Sequence, residues 1–356
     1  MPEGGAVKQS RPKLELAGQE NASLAGGLLT LRIEERLDGL ASLEASFGNW
    51  GPAGGKTGFL YFDRATLDFG KELKVSLGDE VLFNGRITAL EGVYPEGSSP
   101  VVTVLAEDRL QDLRMTRRTR TFADSSDSDV INQIASDHGL NADVSLSGPT
   151  HKVLAQLNQS DLAFMRERAR ANDAEVWVDG SQLKVKQHAS RNGGTLELTY
   201  GRDLRDFTVL ADLADQRTSV DVTGWDVAGK QALTESAAPS AISGELAGGT
   251  SGSSVLQSAL GERKETVAHS APFTSGEAHA RAEAIFRRRS RRFLTGRGVA
   301  ETNGKLKVGT TLTLKALGPL FNGAYFITEV HHLFDGGAGL RTEFAVERPG
   351  LGGGPA

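Results

Sequence analysis

Few residues stand at spacings that could do chemistry. His331-His332 is an adjacent imidazole pair, and an imidazole can ligate a metal ion or act as a general base. Neighbouring strand residues point to opposite faces, so the two rings cannot easily close on one ion. His269 and His279 are distant and no acidic ligand spacing accompanies the pair, so a structural role is expected and no metal site. The densest charge run is Arg287-Arg288-Arg289-Ser290-Arg291-Arg292. On a helix these arginines wrap most of the circumference, which leaves two readings open. One is a solvated helix whose arginines pair with acids on neighbouring elements. The other is an interface or channel lining, formed by Arg287, Arg288, Arg289, Arg291 and Arg292, that meets acidic partners or nucleic acid. Arg114, Arg117, Arg118 and Arg120 form a weaker cluster open to the same two readings. Asp124, Asp127 and Asp129 are better explained by helix capping than by acid–base work. Ser251, Ser253 and Ser254 lack the strand–turn–helix setting of a nucleophile, and Gly304-Lys305-Leu306 reads as a turn into a strand rather than a phosphate loop. No catalytic or cofactor-binding constellation emerges, and no cofactor is expected.

The elements that carry these residues are mostly strands. Leu73, Val75 and Leu77 alternate with polar neighbours, and Val81, Phe83, Ile87 and Ala89 continue on odd numbers. Asn84-Gly85 fits a tight turn or a bulge. Val101 to Ala106 is apolar on both faces, as in a strand covered on both sides. Residues 1–110 therefore read as a small β-barrel or sandwich. Residues 111–195 read as an α+β insertion. It holds a helix capped at Ser126-Asp127, a second starting at Ser160, and a hairpin through Asp179-Gly180. Strands return over 196–350, interrupted by a flexible loop at 237–262 and a helix at 274–293 that opens on a Thr274/Glu277 capping box. Residues 351–356 read as a disordered tail.

Composition supports this without naming a function. The 356 residues include no cysteine, which excludes disulfides and thiolate chemistry and fits folding in the cytosol. The 43 glycines are about 12 % of the chain against a usual share of about 7 %, consistent with many tight turns. A net charge of -5 gives no global pull toward nucleic acid or membrane. No export signal opens the chain and no window suits a membrane span. Trp50, Trp177 and Trp225 are widely separated, against the exposed aromatic cluster an adhesin would display.

Four stretches resemble the late control protein D family, tail-hub proteins of contractile phages similar to the N-terminal part of VgrG spikes. They are Leu82-Phe83-Asn84-Gly85-Arg86-Ile87, the segment Gln156 to Met165, Val220 to Asp226, and Gly304 to Thr310 followed by Phe321 to His332. They stand in family order. The resemblance implies a tail-hub-like fold of two related β-barrels with an inserted α+β segment. It also implies a homotrimeric, pseudo-sixfold ring that adapts a hexameric inner tube to a trimeric spike. The implied partners are further copies, a spike protein, an inner-tube or tube-initiator protein and other baseplate components. The implied location is a phage tail or tail-like particle assembled in the cytoplasm. Met165 replaces a commoner leucine. Many members continue into a needle or lysozyme-like domain, and two barrels plus the insertion leave no room for one here. The alternatives are a baseplate-associated peptidoglycan hydrolase and a β-type carbohydrate-binding adhesin.

Overall fold

A computed structural model describes residues 11–226, 229–269, 272–301, 303–337 and 339–353. Sequence readings for residues 1–10 and 354–356 lie outside them. The chain forms two units that interleave in sequence. The first takes the residues up to Arg109 with Val299–Lys307 and Glu329–Phe344, and the second takes Leu110–Gly298, Val308–Thr328 and the residues from Ala345 on. Consecutive domains were the expectation. The difference arises because the strand Gly323–Asp335 pairs, through Glu329–Asp335, with Leu28–Arg36, a partner far away in sequence. Local periodicity carries no trace of such pairing.

In the first unit the antiparallel order runs from that strand through Leu28–Arg36, Ser42–Gly48, Val101–Glu107, Glu80–Val93 and Glu72–Leu77 to Lys13–Leu16. The sheet wraps around one core, since Leu14 near one end and Phe334 and Leu340 at the other belong to a single buried cluster. The alternation holds at its centre: Leu73, Val75, Phe83 and Ile87 are buried. Val81 is exposed instead, because the register shifts between Val75 and Ser76 and pairs Val81 with Ser76, on the face opposite Val75. A second shift falls at Ile87/Ala89, so Asn84-Gly85 is neither turn nor bulge but regular strand. On Val101–Glu107, Val102, Val104 and Ala106 are buried while Leu105 is 38 % exposed, so only one face is fully covered.

In the second unit Ser126 caps the helix Asp127–Asp137 in a capping box with Asp129, and Ser160 caps Asp161–Ala171 by accepting from the Ala163 N–H. The hairpin joins Ala174–Asp179 to Gln182–Gln187. Its central residues are Gly180-Ser181, with positive φ at Gly180 alone. Gln182–Gln187 also pairs, in parallel, with Asn141–Ser145. Ser219–Asp226 lies between antiparallel Gln231–Ala237 and parallel Lys264–Val267. The helix Ser275–Arg291 covers this sheet, burying Ala278, Ala282 and Phe286 against Val220, Val222 and Val267. Thr274 accepts from the Glu277 N–H at its start, while the Glu277 carboxylate accepts from Phe273 N–H.

Residues 237–262 are not a flexible loop. They hold a short 3-10 stretch, Pro239–Glu245, the two-residue strand Thr250–Ser251, and the helix Gly252–Leu260 capped by Ser251. Ile242 and Leu256 are buried, Ile242 within the core beneath the long helix. Ile242 and Leu246 pack into that one core from a 3-10 stretch and its cap, too short to show a helical period, and Leu256 is carried by a separate helix. The described part of the tail is also anchored: Gly350–Leu351 pairs with Thr250–Ser251, and Arg348 donates to the Gly352 carbonyl. Among the described residues no helix is long and apolar enough to cross a membrane.

Gly85 owes its identity to close backbone approach. A Cβ there would lie 2.3 Å from the Glu107 carbonyl oxygen and 2.5 Å from the Phe83 ring. Gly85→Ala is expected to destabilise the first unit by about 1–3 kcal/mol, by analogy with overpacked cores. Urea denaturation with an unchanged midpoint would contradict this.

Candidate functional site

The arginine helix uses most of its arginines internally. Arg291 is only 2 % exposed. It forms a two-pronged bond with Asp173, both contacts 2.7 Å, and a second with Glu245, both again 2.7 Å. Burial alone would raise the Glu245 carboxyl, but the Arg291 hydrogen bond and charge outweigh it and hold its pKa below the usual value. The Arg291 guanidinium is in turn held more firmly protonated than usual, the bonds to Glu245 and Asp173 overcoming its burial. Arg287 donates to the Ala241 carbonyl and to Glu283, and Arg289 donates to Glu265. Arg288 and Arg292 face solvent, and Arg288 also donates to the Ala284 carbonyl of its own helix. Beside this network His188 lies 2.6 Å from Glu175 and 4.0 Å from Glu347. Arg191 bonds Glu175 and covers the Trp177 ring at 4.5 Å. Burial pushes the Glu347 carboxyl up. In the weaker basic cluster, Arg120 meets Asp137 and Asp161, Arg118 meets Asp161, and Arg117 donates to the Asn158 carbonyl.

A buried ion pair that loses one partner leaves an uncompensated charge. Arg291→Leu should therefore cost about 3–5 kcal/mol at neutral pH. Glu245 has a depressed folded pKa, so its contribution is present above the unfolded carboxyl pKa and is lost as pH falls. The difference between wild type and variant should shrink correspondingly on acidification, measured by denaturation at several pH values. A pH-independent difference would argue against the pairing.

The histidine pair divides as strand geometry requires. His332 is buried in the first unit, its Nδ1 3.0 Å from Thr342 Oγ1, and burial pushes its pKa down to about 4. His331 lies on the other face, 2.8 Å from Glu329 and 3.7 Å from Glu34. These three groups present ligand atoms within 4.8 Å of one another, the reach of a divalent cation. Arg36 already contacts both carboxylates, at 2.5 Å and 3.0 Å, and Arg32 contacts Glu34 at 3.2 Å. That is the chemistry of a cross-strand ion-pair ladder. The signal missed in the sequence was Glu329 two residues before His331 on one face; Glu34, directly across from His331, could not be foreseen. A cavity of about 430 Å³ opens on this unit, lined by Arg32, Glu44, Leu333, Asp335, Arg341 and Glu343 among others.

Because the folded pKa of His332 lies below its unfolded value, the unfolded chain binds the extra proton between pH 6.5 and about 4. Stability is lost as pH falls through that window, by about 3 kcal/mol in total at 1.36 kcal/mol per pKa unit. His332→Gln should flatten that slope between pH 6.5 and 5. An unchanged slope would show that other groups set it.

The tryptophans stay apart, yet an exposed aromatic cluster exists. Trp50 meets Phe59 edge-on at 5.2 Å, Phe59 meets Phe62 at 5.0 Å, and Tyr94 lies 5.7 Å from Phe62. Trp50, Phe59 and Tyr94 are 46 %, 47 % and 65 % exposed. Gly92 makes room for it, since a Cβ there would press on Tyr94 and Phe62 at 3.1 and 3.2 Å.

Two interleaved β-rich units, the second carrying an α+β insertion, define a tail-hub-like fold, and solved structures share it. The 43 kDa tail protein of prophage MuSo2 from Shewanella oneidensis superposes with a TM-score of 0.68 at 14 % identity, over 95 % of this chain and 98 % of that one. A tail protein from Neisseria meningitidis gives 0.66 at 11 % identity, over 96 % and 98 %. An E. coli protein gives 0.58 at 12 % identity, over 93 % and 76 %. It is described as a type VI secretion component with structural similarity to the bacteriophage T4 tail proteins gp27 and gp5. In sequence, a family model described as the Alg8 N-terminal domain matches residues 56–335, and the chain belongs to that family. This family name differs from that of the late control protein D family, which the motifs resemble. No curated protein matches in sequence.

Proposed function

We propose that the chain is a structural hub of a contractile phage tail or related injection particle, akin to the late control protein D family and without catalysis of its own. The observation that carries this reading is the fold shared, nearly end to end, with a prophage tail protein. A hub must join a sixfold tube to a threefold spike, and three identical chains alone cannot offer six similar contacts. Two β-rich units per chain supply them if three copies close a ring. Spike, inner tube or tube initiator, and other baseplate components are the partners this assembly requires, and cytoplasm is where it would be built. Internal pairing of Arg287, Arg289 and Arg291 supports a framework role for the arginine helix, with Arg288 and Arg292 left to meet a neighbour.

The aromatic cluster favours a second reading, a carbohydrate-binding adhesin. Native mass measurement followed by negative-stain imaging separates the two. Trimers and rings with six lobes are expected, whereas a monomer that persists with and without a spike protein would overturn the hub. Clearing of peptidoglycan by the purified chain would overturn the non-catalytic role.

A further inference from the structure

The hairpin of Trp50–Ala53 and Lys56–Phe59 is a two-stranded sheet of its own. Gly54 and Gly55, at φ +57° and +82°, form its two-residue turn. In such a hairpin the pair flanking the turn, Ala53 and Lys56, exchanges hydrogen bonds, as does Gly51 with Gly58. The alternate pairs, Pro52 with Thr57 and Trp50 with Phe59, turn their backbone groups outward. Pro52 has no N–H, so the outer edge of Trp50–Ala53 keeps only the Trp50 N–H as a donor and resists strand pairing. The outer edge of Lys56–Phe59 keeps the N–H and C=O groups of Thr57 and Phe59, at strand spacing. Among the described residues nothing pairs with this edge.

The side chains of the same four residues share one face, which carries no charge: Trp50, Pro52, Thr57 and Phe59. Phe62 and Tyr94 extend it. An isolated two-stranded hairpin is marginal in water, and a third strand is the usual way to complete one. We propose that the Lys56–Phe59 edge accepts an added strand from a partner protein, an extended segment whose alternate, inward side chains are apolar. The backbone ladder would supply affinity and the aromatic face would select the apolar positions. A sugar would stack on the rings and meet Thr57, the Trp50 indole N–H and the Tyr94 hydroxyl, but it would leave the Lys56–Phe59 backbone edge unpaired. This inference does not rest on the hub reading, because its readout is local to the hairpin.

The test uses the full chain and a soluble probe, the peptide acetyl-Lys-Thr-Val-Thr-Val-Thr-Lys-amide. Its N-methylated counterpart has the same side chains without the backbone donors. The first peptide is expected to slow hydrogen exchange at the Thr57 and Phe59 amides. Binding should weaken about tenfold or more with the N-methylated peptide, as loss of backbone bonds requires. Thr57→Pro, which removes an edge N–H, and Trp50→Ala, which keeps the edge and removes the ring, should each weaken it too. Absence of protection at millimolar peptide, or equal binding of both peptides, would overturn the proposal. Protection by chitohexaose and not by the peptide would overturn it as well, and assign the face to a glycan.

Discussion

The first unit depends on one pairing, that of Glu329–Asp335 with Thr30–Arg36. It brings Phe334, followed by Leu340, into a core otherwise built by the first 109 residues and sets the Glu34/Arg36 ladder against Glu329 and His331. Nearly 190 residues of the second unit intervene between Arg109 and Val299. Closing a contact over such a separation is an entropic cost that grows only slowly with length, so the native state tolerates it. The folding route is less forgiving, since non-local strand pairing is slow. The first sheet must wait for its last strand, and its edge at Leu28–Arg36 stays open until that strand arrives.

A different kind of interaction holds the second unit. Arg291 joins Asp173, two residues past the helix Asp161–Ala171, to Glu245 at the end of a 3-10 stretch, and does so from the last turn of the long helix. A hydrophobic core alone would leave these three ends free to shift. Two bidentate pairs fix their angles, because the planar guanidinium donates to each carboxylate in one geometry. A lysine at this position would keep the charge and lose the geometry.

The legible parts of the fold were those written in neighbouring residues. Ser126, Ser160 and Thr274 each satisfied a helix start from a spacing of three, and Leu73, Val75, Phe83 and Ile87 marked the buried face. The illegible parts required a partner elsewhere in the chain. Val81 left the predicted face because of a register shift set by the opposing strand. Ile242 and Leu256 looked like scattered residues in a glycine-rich loop because the surfaces that bury them come from elsewhere in the chain. The five arginines could be read two ways for the same reason: Asp173 and Glu265 are far off in sequence.

Sequence alone draws attention to charge, and the structure moves it to aromatic surface. Arginines at an interface must be stripped of water, and those already bonded inside the chain would also have to surrender Glu265, Glu283 or Asp173. The aromatic hairpin faces neither cost. Its rings already touch, so little side-chain freedom remains to be lost, and apolar area gains free energy simply by leaving water. Pro52 removes a donor from one edge of that hairpin and leaves the other edge complete. An edge guarded on one side only restricts pairing to a single direction, which is what an assembly of fixed order needs and a randomly aggregating strand lacks.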